Sequence, residues 1–166
     1  MHPSKKITFS NQVIFIDGMP GCGKTLFSQL LAAYPRVELL TYAYDIEQAC
    51  ALYYLDELSI EASSTLVNLF ADQKIYHGMM SRETNFRFSD LSSVFNTPKK
   101  LKYFKRLVMK GDHAISQRIL DEEPILNLTV HNLLPFSLPI FKALNERVTF
   151  IEIVRHPLYQ IIQHYS

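Results

Sequence analysis

Gly18-Met19-Pro20-Gly21-Cys22-Gly23-Lys24-Thr25 follows the pattern G-x-x-x-x-G-K-[ST], and its flanks restrict the folds open to the chain. Upstream, Val13-Ile14-Phe15-Ile16 is a short apolar, β-branched run of the kind buried on both faces of a sheet. Downstream, Leu26, Phe27, Leu30 and Leu31 recur at helical spacing, so the loop leads straight into a helix. Glycines at such a junction let successive backbone N–H groups turn inward, and the helix N-terminus adds partial positive charge. Lys24 then sets an ammonium against the same space. The pattern predicts a phosphate cradle made of Gly18, Met19, Pro20, Gly21, Cys22, Gly23, Lys24 and Thr25. The plainer alternative is a glycine-rich strand-to-helix turn that holds no ligand.

A strand–loop–helix start needs further strands to lie against. Arg36 to Leu40 reads as a second strand, Ile125 to Val130 as a third and Val148 to Val154 as a fourth. Helical spacing marks Asp45 to Leu58 (Asp45 as N-cap), Ile60 to Tyr76, Leu101 to Met109, Asp112 to Glu122, Leu138 to Leu144 and Leu158 to Tyr165. Gly111 separates two of these helices, and Pro157 suits the first position of the last. Strands alternating with helices imply a central parallel sheet with helices on both faces, a three-layer α/β/α domain of P-loop NTPase-like type. Ligands in such sheets bind beyond the carboxyl ends of the strands. That rule brings the Gly18 loop, the stretch from Tyr42 to Asp45, His131 and Arg155-His156 to one side of the domain.

Bulk properties bound the rest. With 166 residues and 48% hydrophobic content, the chain builds one domain with a real core, here taken as 1–166. A formal net charge of +1 argues against broad nucleic-acid or membrane-surface binding, so anion recognition must be local. No stretch has the uninterrupted apolar length of a membrane span. Met1 to Lys6 is polar with no apolar region after it, unlike a secretory signal. Two cysteines, one of them inside the loop, do not make a disulfide framework and point to a reducing cytoplasm. Residues 77–100, rich in Ser, Asn, Arg and aromatics, read as a lid or substrate loop in which Arg82, Phe86, Arg87 and Phe88 could meet an acceptor. The basic run Lys99, Lys100, Lys102, Lys105 and Arg106 reads as a solvated helix face, and Tyr42, Tyr44, Tyr53 and Tyr54 as core packing.

Two single residues stand out beyond the loop. Arg155 follows a strand and precedes Pro157, which places its guanidinium where it can fork onto a second phosphate. The alternative is an arginine paired with a neighbouring carboxylate. His131 ends the strand before it, a position suited to a general base, although a lone histidine is more often structural.

Together these blocks resemble the sulfotransferases that use 3′-phosphoadenosine 5′-phosphosulfate (PAPS). In that family an early strand–loop–helix holds the 5′-phosphosulfate. A later strand ends in a Thr-His-Leu-Pro-like segment with the catalytic histidine, to which Leu128-Thr129-Val130-His131-Asn132-Leu133-Leu134-Pro135 is similar but looser. A strand followed by Arg-Asn-Pro then binds the 3′-phosphate, and Phe150-Ile151-Glu152-Ile153-Val154-Arg155-His156-Pro157 looks very much like it. The resemblance implies sulfuryl transfer from PAPS to a hydroxyl or amine of a small-molecule, carbohydrate or protein acceptor. Under it, His131 and Lys24 are catalytic, Arg155 binds the donor, and no metal is assigned.

The chain also departs from the family. Gly21 stands where the family loop has its basic residue, and the lysine is Lys24, as in nucleotide kinases. A serine expected after the arginine falls at Gln163, and the family's C-terminal segment over the adenine has no counterpart, so the expectation is a truncated member. A kinase acting on a small molecule or nucleotide with ATP and Mg²⁺ is the second reading. There Thr25 would hold the ion, but Glu152 reads as lying within its strand and Asp17 directly before the loop, leaving no clear second carboxylate. A non-catalytic nucleotide-binding fragment is the third.

Overall fold

The apolar run at Val13 becomes β1 (Gln12–Asp17), the buried interior strand of the sheet. The computed structural model describes residues 8–111 and 113–165, the side chains of 163–165 excepted. The amino-terminal segment read from Met1 to Lys6, the expected helix start at Asp112 and the Gln163 side chain therefore lie outside the described residues. β1 pairs in parallel with β3 (Ile125–Thr129) on one side, from Gln12 opposite Ile125 to Ile16 opposite Thr129. On its other side it pairs in parallel with β4 (Val148–Glu152), Asp17 lying opposite Glu152. The short β2 (Thr41–Tyr42) extends the far edge of β3, giving a four-stranded, all-parallel sheet of order β2-β3-β1-β4.

Alternation along the strands sends apolar side chains to one face and mixed ones to the other. Val13, Phe15, Leu126, Leu128 and Val130 pack against α2 (Tyr44–Tyr54), α3 (Ile60–Gly78), α5 (His113–Glu122) and α6 (Leu138–Leu144) through Ile46, Val67, Ile75, Ile119 and Ile140. Each of those fully buried side chains contributes roughly 1.5–3 kcal/mol of transfer free energy. The opposite face meets α1 (Lys24–Leu31), where the Asn127 amide donates to the Ser28 carbonyl at 3.0 Å and the Ser28 and Thr129 hydroxyls lie 3.0 Å apart. A second core cluster of Ala32, Leu39, Val94 and Tyr103 joins α1 to α4 (Lys100–Val108). The domain is therefore α/β, with helices covering both faces of a parallel sheet. α7 (Pro157–Tyr165) follows β4, with Pro157 at its start as expected.

The expected strand at Arg36 to Leu40 does not form. Only Val37 bridges to Ile125, and the backbone N–H of Leu39 is taken at 2.6 Å by the Tyr103 hydroxyl. Two backbone bonds join Ile125 to Arg36 and Glu38 at that bridge, and beyond it Glu38 turns inward to Arg106 and Lys102, so side chains rather than a ladder hold the rest of the stretch. The chain rejoins the sheet at Thr41. Likewise Ala43, not Asp45, precedes the first turn of α2, because Asp45 points to Lys74 at 3.0 Å. That helix stops at Tyr54, before the expected Leu58: Asp56 takes a left-handed φ of 59° and the Glu57 N–H returns to the Leu52 carbonyl at 2.9 Å.

The segment between α3 and α4 is a series of turns around one short 3₁₀ turn at Val94–Asn96. Buried Ser81, Ser93 and Thr97 and a bond from the Val94 N–H to the Asn85 carbonyl at 2.8 Å tie it down. Its aromatics pack on one another and on α4, Phe88 on Phe95 and Phe86 on Phe104 of that helix, while Arg87 pairs with Asp90 at 3.4 Å. The basic run is spent differently from the solvated face expected. Lys102 and Arg106 reach Glu38 and Glu122, and Lys99 donates to the carbonyls of Tyr34 and Val37.

Candidate functional site

The carboxyl ends of β1, β3 and β4 meet the Gly18 loop. Gly18, Gly21 and Gly23 take φ values of 135°, 82° and 104°, a region that side-chain-bearing residues rarely adopt. At Gly18 an added Cβ would also collide with the Ile153 carbonyl, which is why this corner admits glycine alone. The Cys22 N–H closes a turn onto the Met19 carbonyl at 3.2 Å, and α1 begins at Lys24 with Gly23 as a cap that supplies no side chain. The first N–H groups of α1 are thus not taken up by a capping side chain, and the helix dipole adds to their field.

Lys24 is buried, and its ammonium donates to the Gly18 carbonyl across the loop. Asp17, fully buried, serves as a bracket. One oxygen accepts from the Gly18 N–H at 2.7 Å, the other from the Leu133 and Leu134 N–H groups, each at 2.7 Å. These bonds fix the loop to the turn that follows His131. Glu152 is the last residue of β4, a correction to its expected place within the strand, and lies beside Asp17. Partial burial and the Asp17 carboxylate push the Glu152 carboxyl above the usual range, against the opposing pull of Lys24.

His131 follows β3, where the Val130 N–H still reaches the Ile16 carbonyl at 3.0 Å. Its Nδ1 lies 2.9 Å from Oε1 of Glu47 on α2. The imidazole is parallel to both Tyr44 (centroids 5.6 Å apart, 0° between planes) and Tyr42 (6.1 Å, 12°). Tyr42 and Tyr44, read as core packing, are therefore a ring wall beside the histidine, while Tyr54 packs on Phe136 and, like Tyr44, is more than half exposed. One residue later, Asn132 takes a left-handed φ of 51° and turns the chain into the Asp17-bracketed segment.

Arg155 lies at the same end of the sheet as Lys24: its Nη1 donates to the Gly21 carbonyl at 3.1 Å. The Gln160 amide on α7 donates to the Pro20 carbonyl at 3.0 Å. Two carbonyls of the loop are thus held from the α7 side. Lys24, Thr25, Tyr42, Thr129, His131 and Arg155 line one open cleft of about 300 Å³. Leu91, rather than Arg82 or Arg87, reaches it from the segment before α4. Leu26 and Leu91 also wall a neighbouring apolar recess of about 340 Å³, closed by Leu30, Ala33 and Pro98.

The structure thus gathers residues that the sequence set far apart, and adds others that sequence reasoning missed. Glu47 and Gln160 have no motif around them, and Thr129 stood in the block around His131 without a role of its own; Glu47 had only its place in the first turn of a helix just beyond a strand end. Both cysteines are free thiols, and burial, with Glu47 nearby, pushes the Cys50 thiol up to about 12. Among the described residues, no three or more His, Cys, Asp or Glu side chains are grouped to hold a metal ion, and no helix is long and apolar enough to cross a membrane. Compared with protein-family models, curated proteins and solved structures, the chain matches none of them.

Proposed function

We propose that the cleft binds the phosphates of a nucleotide and that the protein is a PAPS-dependent sulfotransferase. The observation that carries this reading is the convergence of Lys24, His131 and Arg155 on one cleft at the carboxyl end of a parallel sheet. In this reading Lys24 leaves the Gly18 carbonyl for the bridging and transferring oxygens, and the loop amides from Gly21 to Thr25 share their charge. Arg155 forks onto the 3′-phosphate, which distinguishes the sulfonate donor from ATP. His131 takes the proton of the acceptor hydroxyl or amine as the new bond to sulfur forms. The bond from sulfur to the leaving phosphate oxygen breaks in line with it. The apolar recess at Leu26 and Leu91 offers room for a flat or aliphatic part of either reactant.

A kinase using ATP and Mg²⁺ keeps one observation in its favour: Glu152 stands at a strand end next to the Lys24-Thr25 pair. Against it, both oxygens of Asp17 are occupied by backbone N–H groups. Binding without turnover is the third reading and needs only the loop.

Calorimetric titration separates the first two. Adenosine 3′,5′-bisphosphate should bind without metal and more tightly than ADP with Mg²⁺. Arg155→Ala should cost the bisphosphate about 1.5–3 kcal/mol, or roughly 10- to 100-fold in affinity. Tighter, metal-dependent binding of ADP that is indifferent to Arg155→Ala would move the assignment to a kinase. Bisphosphate binding with no sulfuryl transfer to any acceptor tried leaves the binding module.

A further inference from the structure

We infer that Glu47 and His131 form an acid–imidazole dyad in which Glu47 is a positioning residue: it holds the proton on Nδ1 and leaves Nε2 unprotonated toward the cleft. The catalytic consequence rests on the sulfotransferase reading; the dyad itself does not.

The two carboxylates in the first turn of α2 have separate tasks. Asp45 is engaged by Lys74 at 3.0 Å, whereas Glu47 faces His131 at 2.9 Å across a separation of 84 residues. The Glu47 side chain is 19% exposed and that of His131 31%, so the pair sits where solvent is thinned but the ring still reaches the cleft. An ionised carboxylate only accepts hydrogen bonds. A neutral imidazole beside it must therefore donate from Nδ1, and its lone pair is then on Nε2. The other side of the ring is held by a different force. Tyr44 and Tyr42 lie parallel to it at 5.6 and 6.1 Å, which restricts the plane of the ring while Glu47 fixes its rotation within that plane.

A histidine so held is ready to take a proton at one nitrogen and no other. Free imidazole in a protein side chain favours the opposite tautomer, with the proton on Nε2, so the state inferred here depends on its partner. Without the orienting carboxylate the ring keeps its stacking on the tyrosines but carries its proton at the wrong nitrogen, the fault that makes an orienting acid matter in acid–histidine catalysis. A purely structural contact would also hold the ring, but nothing about packing alone demands the Nδ1–H form.

The tautomer can be read directly in the 166-residue chain labelled with ¹⁵N-histidine, by multiple-bond ¹H–¹⁵N spectra at alkaline pH where the ring is neutral. The wild-type spectrum should give His131 a protonated Nδ1 and a bare Nε2. Glu47→Ala should shift the majority of the ring population to Nε2–H, and the affinity for adenosine 3′,5′-bisphosphate should stay within about twofold of wild type. A wild-type ring protonated on Nε2 overturns the dyad, and that spectrum needs no variant to fold. So does a Glu47→Ala ring that keeps Nδ1–H, or a loss of bisphosphate affinity of tenfold or more, which would make Glu47 a support of the loop. If wild-type protein does not bind the bisphosphate at all, the donor assignment fails while the spectrum still decides the dyad.

Discussion

Two charged clusters, one around Glu38 and one around Lys24 at the strand ends, are built on opposite plans. At Glu38 every charge is answered by another. Its Oε1 accepts from Arg106 and Lys102, both at 3.1 Å, and its Oε2 from Arg106 at 2.6 Å and the Tyr103 hydroxyl at 3.0 Å. Glu122 adds a second carboxylate to Arg106 and Lys102. Burial alone would push the Glu38 carboxyl up, but Arg106 and Lys102 outweigh it and hold it below the usual carboxylate range. In the cleft, by contrast, Lys24 donates to a backbone carbonyl and Arg155 gives one of its bonds to another. A cation matched to carboxylates has little charge left for a ligand. Lys24, which hydrogen-bonds a neutral oxygen and meets Glu152 only through its field, keeps more of it. The first plan fastens α4 to the sheet edge; the second leaves positive charge at the strand ends.

The widest separation of the two plans should come from Arg106→Ala. Removing Arg106 leaves the Glu38 carboxylate, 5% exposed, with only Lys102 and the Tyr103 hydroxyl, a loss of up to about 3–5 kcal/mol. For a domain of this size the melting temperature should fall by roughly 6–20 °C. The sign with pH follows from the depressed Glu38 value. The pair contributes fully above the unfolded carboxylate pKa of about 4.3 and fades as pH falls through the lower folded value. The deficit of Arg106→Ala should therefore narrow in acid. A calorimetric scan that finds it constant with pH, or below 1 kcal/mol, would mean that the cluster does not carry α4.

Lys24→Ala tests the other plan and should do the reverse. Affinity for adenosine 3′,5′-bisphosphate should drop by roughly 10- to 100-fold, the worth of a charge-assisted hydrogen bond. The melting temperature should fall less than for Arg106→Ala, because the hydrogen bond lost is to a single carbonyl. Unchanged affinity would take Lys24 out of the anion site.

The smallest effect belongs to Glu152→Gln, where the plans touch. The folded state raises this carboxyl, so its ionisation weakens the fold as pH rises from the unfolded pKa through the folded one. The variant should be slightly more stable near neutral pH, by well under about 1 kcal/mol because solvent screens the group, and equal to wild type in strong acid. A variant less stable than wild type at neutral pH would show that the Glu152 contact with Asp17 supports the fold.

Much of the architecture was legible because its causes are local. The β-branched run at Val13, the glycines after it and the apolar spacing beyond Lys24 fixed β1, the loop and α1, and Pro157 marked the start of α7. α6 runs over the residues from Leu138 to Leu144 that its spacing indicated. The errors fell where a distant side chain took over a backbone group or a charge. Val37 to Leu40 has the apolar, β-branched composition of a strand, yet the Tyr103 hydroxyl claims the Leu39 N–H and Arg106 claims Glu38, from more than 60 residues away.

The same division runs through the candidate site. Sequence alone determined that a glycine corner, a lysine at a helix start, and a histidine and an arginine beyond two strand ends would occur in this chain, since periodicity and turn chemistry act over a few residues. Only the tertiary structure decided which partners they have: Glu47 and two tyrosine rings for His131, Gly18 for Lys24, Gly21 among those of Arg155. Electrostatic and hydrogen-bond partners are set by distances of about 3 Å in space, and no spacing along the chain encodes them.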